Sequence, residues 1–216
     1  MELAKDCLDL GIYTDRYEDM RRFYVDELGL VYEELLKVGR GVHQHRLSLN
    51  GAVLKLNSSR EPLADTPTNF RGFDIGTETR APAELHDPDG TAVNLVPGTS
   101  VSVHWASSDP GRLVDLLVRG FGAVEHSRGL LAIGRTLIAL ETGGGPVGPL
   151  RSRGLRYLTV QIHDVRLEHH RLMTSGWREV TAPVRLGDTA FVSFVSDPDG
   201  SMVEVSQRAS LTGPLP

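Results

Sequence analysis

Ser196-Asp197-Pro198-Asp199-Gly200-Ser201-Met202-Val203-Glu204-Val205-Ser206-Gln207 reads as a tight turn feeding a strand that bears one carboxylate. Proline presets φ for an early turn position, aspartate side chains bond nearby backbone N–H groups, and glycine accepts positive φ. Past the turn the residues alternate, with Val203 and Val205 on one face and Met202, Glu204 and Ser206 on the other. The valine face suits packing under a helix, so Glu204 points from the opposite face of the sheet. The cassette occurs earlier as Asp87-Pro88-Asp89-Gly90-Thr91-Ala92-Val93-Asn94-Leu95-Val96, with Asn94 standing where Glu204 stands. A turn and strand repeated half a chain apart indicate internal duplication.

Working outward, the units around these cassettes share one pattern. Leu8 to Thr14 alternates as a strand, and Met20, Phe23, Tyr24 and Leu28 fall at helical spacing before Gly29. Leu30 to Val38, Val42 to Leu49 and Ala52 to Asn57 read as three strands, the last two joined by the hairpin signal Asn50-Gly51. The unit is βαβββ. After a connection at 58–69, a second unit starts at Gly72 to Thr77 and leaves too few residues before Asp87 for a crossover helix, so it is an abbreviated copy. The third has a strand at Val101 to Ala106, a helix entered at Asp109-Pro110, short strands to Glu141, and then a glycine-rich linker. In the fourth, a strand from Leu155 to His163 leads to a helix capped by Asp164. Strands near Arg178 to Thr181, Ala190 to Val195 and Met202 to Gln207 complete it, and the tail after Arg208 reads as loosely ordered.

Composition narrows the function classes. A net charge of -5 without long runs of either sign, together with sparse aromatic residues, argues against nucleic acid and against an anionic membrane surface. No apolar run approaches the roughly 20 residues that span a bilayer, and the first residues lack the order of a signal peptide, so a cytoplasmic location is expected. The single cysteine, Cys7, excludes an intrachain disulfide and reads as a packing residue. Neither a Gly-x-Ser-x-Gly elbow nor a phosphate loop is present. His43 and His45 share a strand face with Leu47 and Leu49, which favours packing, while His169 and His170 read as surface residues of a helix.

Four βαβββ-like units, Leu28-Gly29-Leu30 after the first helix, and Asp-Pro-Asp-Gly before a final Glu-bearing strand resemble the vicinal oxygen chelate superfamily. That group includes glyoxalase I, extradiol dioxygenases, and the bleomycin and fosfomycin resistance proteins. The resemblance covers nearly the whole chain. It implies an α+β fold in which paired modules curl into half-barrel sheets, here expected as an N-terminal pair over 5–98 and a C-terminal pair over 99–210. It also implies one divalent metal ion (Fe, Mn, Zn or Ni) that chelates two adjacent oxygens of a small substrate.

Carried over position by position, Glu204 matches the last-strand glutamate of the family. His104, on the face shared with Ser102 and Ala106, takes the place of a first-strand ligand, although the alignment favours Ser102 by two residues. Tyr157, or Arg156 under a one-residue shift, stands where the fourth unit would carry a histidine, and Tyr157 is expected as a third ligand or an acid/base group. The N-terminal half departs further, with Asp9, Lys55 and Asn94 at its corresponding positions. A protonated lysine has no lone pair for a metal. Two readings follow: a metal-dependent enzyme using His104, Glu204 and Tyr157, or a metal-free protein that binds a small, antibiotic-like molecule in the same groove. Either a monomer or a homodimer is compatible with four units in one chain.

Overall fold

A computed structural model describes residues 1–39 and 41–215 of the chain. The first unit runs β1 (Asp9–Thr14), α1 (Tyr17–Arg21), β2 (Tyr32–Gly39), β3 (Val42–Leu49) and β4 (Ala52–Ser59); the second has β5 (Phe70–Thr77), β6 (Ala83–His86) and β7 (Ala92–Pro97). The third contains β8 (Val101–Ser107), α2 (Pro110–Leu116), β9 (Val124–Ser127), β10 (Leu130–Ile133) and β11 (Thr136–Thr142). The fourth contains β12 (Gly154–Gln161), α3 (Val165–Ser175), β13 (Arg178–Leu186), β14 (Ala190–Ser196) and β15 (Met202–Arg208), followed by a short α4 (Ala209–Thr212). The architecture is mixed α+β, dominated by strands. The expected caps form: Asp109 and Asp164 each accept a backbone N–H three residues on, at 3.0 Å, and Gly176 ends α3 with φ 104°. α1 and α2 each widen into a π-helical segment, at Arg22–Glu27 and Leu117–Phe121.

The strands form two sheets. The eight-stranded one has the order β13-β14-β15-β12-β1-β4-β3-β2, and the seven-stranded one β6-β7-β5-β8-β11-β10-β9. Unit one therefore joins unit four, and unit two joins unit three, so each sheet takes one unit from either side of residue 98. The outer seam is the antiparallel pairing of β1 with β12, Asp9 opposite Thr159 and Leu10 opposite Leu158. Both strands put leucine, isoleucine and valine on the convex face and polar groups on the concave one, so this register buries both apolar faces together.

One hydrophobic core gathers the convex faces of both sheets and the helices. The helix that unit two lacks is replaced by a neighbour: Tyr24, after α1, stacks on Phe73 of β5 with centroids 6.4 Å apart and donates its hydroxyl to Asp87 Oδ2 at 2.8 Å. Between units three and four, Trp177 packs edge-on against Phe121 at 4.9 Å and donates Nε1–H to Leu116 O at 3.1 Å. Three expectations are corrected. His169 is buried, not on the surface, with Nε2 2.8 Å from Glu179 Oε2 across to β13. β13 runs to Leu186, well past Thr181, because an edge strand can carry Pro183 and two irregularities without losing its one ladder. The tail is ordered through α4.

The two Asp-Pro-Asp-Gly turns are built alike. Asp87 Oδ1 accepts Thr91 N and Asp197 Oδ1 accepts Ser201 N, both at 2.8 Å, and Gly90 and Gly200 adopt φ 87° and 95°. They differ at the second oxygen. Asp87 Oδ2 receives Tyr24, whereas Asp197 Oδ2 is buried without a partner, and burial raises the Asp197 carboxyl from 3.8 to about 6. A raised carboxyl binds its proton more tightly when folded, so its contribution to stability falls as pH rises from about 4 to about 6. Asp197→Asn keeps the Oδ1 acceptor and removes the charge. The variant is expected to be more stable than the parent at pH 8, by on the order of 2–3 kcal/mol, with the difference shrinking toward pH 4; urea unfolding at the two pH values measures it.

Candidate functional site

The concave face of the eight-stranded sheet carries the most convergent polar chemistry in the described residues. Alternation places Lys55 of β4, Thr159 of β12 and Glu204 of β15 on that face, while Leu54, Leu158, Val203 and Val205 go to the core. Because β12 and β15 are parallel with Thr159 opposite Glu204, and β4 reaches β12 across β1, the three side chains meet. Lys55 Nζ donates to Glu204 Oε2 at 2.5 Å and to Thr159 Oγ1 at 2.7 Å, and the threonine hydroxyl donates to the same carboxylate oxygen at 2.6 Å. The Lys55 side chain is 4% exposed and that of Glu204 11%.

Tyr157 makes the next contact possible. It lies opposite Gly11, and a Cβ there would sit 2.1 Å from the tyrosine Cε1, so a glycine at this point leaves the ring room to lie across β1. The tyrosine hydroxyl accepts from Asn57 Nδ2 at 3.2 Å and Gln44 Nε2 at 3.5 Å. Burial first, then the Glu204 carboxylate, push the phenol well above its usual range. With Tyr13, Val42 and Phe194 it forms a small apolar cluster apart from the main core. Asp9, fully buried, is bound by Lys5 at 2.6 Å and by Gln161 at 3.1 Å; burial works to raise its carboxyl, and the charges of Lys55 and Lys5 overcome that and hold it low.

Above Lys55 and Glu204 opens a cavity of about 530 Å³. Its flanks are the two edge strands: Leu35, Leu36 and Val38 of β2 on one side, Leu186 at the end of β13 on the other. Gln44, Arg46, Gln161 and Arg208 complete the polar wall, and neither Tyr157 nor Thr159 lines it. The size suits a small organic molecule.

The sequence-derived site residues separate. Glu204 lies at the cavity floor and Tyr157 is packed beside it, but His104 is on β8, in the other sheet, and is not brought to Glu204. The reason is topological, since unit three pairs with unit two. On that second concave face His104 Nε2 lies 2.9 Å from Asp74 Oδ1 and Nδ1 lies 3.1 Å from Glu141 Oε1; Asp74 also receives Ser102 at 2.6 Å and Asn94 at 2.8 Å. The hydrogen bond that His104 donates to Asp74 raises the imidazole pKa. Burial works to raise Asp74, and the bonds from His104, Ser102 and Asn94 prevail, holding it at about 2. His45 is buried, stacked on Tyr17 at 3.8 Å. Arg46, Gln161 and Arg208 are not among the residues the sequence singles out; alternation along β12 and β15 puts Gln161 and Arg208 on the face of Glu204, whereas Arg46, on β3, reaches it only through the β1–β12 pairing.

Neither face fits a divalent cation as its side chains stand. At Glu204 a lysine ammonium occupies the place in front of the carboxylate, and it is a cation without a lone pair. Around His104 the two carboxylates sit on opposite ring nitrogens, so the three donors do not converge on one point. Among the described residues no group of three or more His, Cys, Asp or Glu side chains is arranged to hold a metal. No helix among them is long and apolar enough to cross a membrane.

A family model described as Glyoxalase/Bleomycin resistance protein/Dioxygenase superfamily matches residues 8–205. No curated protein sequence matches the chain significantly. Among solved structures, a glyoxalase I mutant from Zea mays is similar at 15% identity and TM-score 0.76, over 93% of this chain and 92% of that one. A candidate dioxygenase from Bacillus subtilis is similar at 12% identity and TM-score 0.71, over 93% and 84%. The cppA protein of Streptococcus pneumoniae is similar at 9% identity and TM-score 0.55, over 96% and 100%. At these identities the likeness is one of fold.

The His104 cluster gives a pH signature. Its imidazole contributes stability that is complete below 6.5 and lost as pH rises through its higher folded value; Asp74 contributes stability present above 3.8 and lost as pH falls toward about 2. The His104 ring resonances are expected to titrate above 6.5, and in Asp74→Asn to move back toward 6.5. NMR of the imidazole protons measures both; an unchanged midpoint in the variant would contradict the assignment.

Proposed function

The chain belongs to the Glyoxalase/Bleomycin resistance protein/Dioxygenase superfamily, and from that premise we propose that it binds a small organic molecule in the groove of its eight-stranded sheet without a divalent metal there. One observation carries the reading: Lys55 Nζ stands 2.5 Å from Glu204 Oε2, at the floor of a cavity of about 530 Å³. The resemblance assigns to this glutamate the holding of a metal. Here the ammonium takes up the carboxylate, and the charge that a metal would supply is supplied by the chain.

What these residues can do follows from their chemistry. Lys55 keeps one further N–H beyond the two bonds it makes, so it can donate to a ligand carbonyl or hydroxyl presented from the cavity. Glu204 has a second oxygen, Oε1, for which no bond is made within the triad, and it can accept from a ligand hydroxyl. Apolar side chains of β2 and β13 close on the ligand body. This supports the binding reading over the metal-dependent enzyme, which would require Glu204 to leave Lys55 and a second ligand to come from the same sheet. Small-molecule binding is thus the proposed role, and no chemical step is assigned.

The test compares metal and ligand in one preparation. Untagged protein grown with iron, manganese and zinc is expected to hold far less than one metal per chain, and ligands found by thermal shift are expected to bind equally in excess EDTA. One metal per chain, lost in Glu204→Ala, would overturn the reading. Lys55→Met leaves Glu204 without its cation, and is expected to lower stability by roughly 3–5 kcal/mol, the range for breaking one partner of a buried pair. Chemical denaturation measures that loss, and Lys55→Met/Glu204→Leu is expected to recover most of it.

A further inference from the structure

Beyond Lys55 the groove continues into a second cavity of about 290 Å³, and three residues line both: Arg46, Gln161 and Arg208. Arg46 and Gln161 each carry a buried polar atom without a partner, whereas Arg208 donates from Nε to Ser210 Oγ at 2.9 Å besides reaching Glu34. Arg46, 6% exposed, and Arg208 are both directed at one oxygen of one carboxylate, Glu34 Oε1. Arg46 Nε lies 3.0 Å from that oxygen but off line, so its N–H makes no hydrogen bond. Its Nη1 reaches only the neutral Gln44 Oε1, at 3.4 Å. Gln161 is 1% exposed; its Nε2 is committed to Asp9, which fixes the amide, and its Oε1 has no partner.

The neighbouring charges are otherwise matched. Lys5 pairs with Asp9 and Lys55 with Glu204. Lys37, at the first cavity, and Glu33, at the second, are opposite in sign, both exposed and without a contact to the two guanidinium groups among the hydrogen bonds and ion pairs of the described residues. Two guanidinium groups sharing Glu34 therefore leave one positive charge in excess, on side chains that are 7% and 12% exposed, beside a carboxylate that is 40% exposed. A planar fork of donors matches a carboxylate bidentately, and a buried acceptor such as Gln161 Oε1 requires a donor.

We propose that this junction is a subsite for a 2-hydroxycarboxylate, the carboxylate received by Arg46 and Arg208 and the hydroxyl donating to Gln161 Oε1, with the apolar remainder of the ligand between Leu35, Leu36 and Leu186. The proposal names the ligand class for the groove and so rests on the binding function set out above. An anion without a hydroxyl would satisfy the guanidinium groups and leave the glutamine oxygen unpaired. An alcohol would do the reverse.

Three probes with the same phenyl body separate these contributions: 3-phenyllactate, 3-phenylpropanoate and 3-phenylpropan-1-ol, titrated calorimetrically into the full chain at pH 7. The hydroxy acid is expected to bind most tightly and at least ten-fold more tightly than the alcohol, with the simple acid between them. Arg208→Gln is expected to remove the acids' advantage over the alcohol, and Arg46→Gln serves the same purpose if circular dichroism shows the first variant misfolded. An alcohol that binds as well as the acids, or an advantage that survives both substitutions, would overturn the subsite and leave groove binding standing. Binding by none of the three at millimolar concentration would count against the groove itself.

Discussion

The pairing of β1 with β12 is the constraint from which the rest follows. It joins the first strand of the first unit to the first strand of the last, and in that register Asp9 faces Thr159 while Gly11 faces Tyr157. Shifted by one residue, each strand would turn its leucines into the groove and its polar groups into the core. Held as it is, the pairing carries β4 and β15 to either side of the seam, and only then do Lys55 and Glu204 meet. The glycine is part of the same constraint, since the tyrosine ring crosses β1 at the one residue without a side chain to obstruct it.

Local chemistry made much of this readable beforehand. The two Asp-Pro-Asp-Gly turns, the Asn50-Gly51 hairpin, the aspartate caps and the short second unit each depend on residues within a few positions of one another, and each is found as expected. Glu204 was placed on the concave face by alternation alone. What stayed hidden depends on which units share a sheet. Every unit offers a first strand with one apolar and one polar face, so alternation cannot say whether unit one closes with unit two or unit four. The grouping of His104 with Glu204 rested on that choice. His169 shows the same limit on a smaller scale: its partner, Glu179, lies on the following strand, and a helical repeat does not reveal which face that strand covers.

The two concave faces express two ways of settling a carboxylate. Asp74 collects one hydroxyl, one amide and one imidazole at a partly open surface, and the result is a low pKa and a histidine held toward its charged form. Glu204 collects one ammonium and one hydroxyl in a nearly closed site. The first arrangement tunes a proton; the second fixes a charge. Desolvation is costly for either partner of the second pair alone, so the pair stays together, and the groove above it presents a constant electrostatic floor.

The nested arrangement, with units two and three inside and units one and four outside, also sets an order of assembly. Lys55 and Glu204 are 149 residues apart, while the inner sheet is complete at residue 142. As the chain emerges from the ribosome the inner sheet can close early, but β1 and β4 must wait for β12, with a polar face open and their seam edge unpaired. Long-range closure of this kind is slow and leaves strand edges exposed to wrong partners. The groove therefore comes into being only with β15, the strand that brings Glu204 to Lys55.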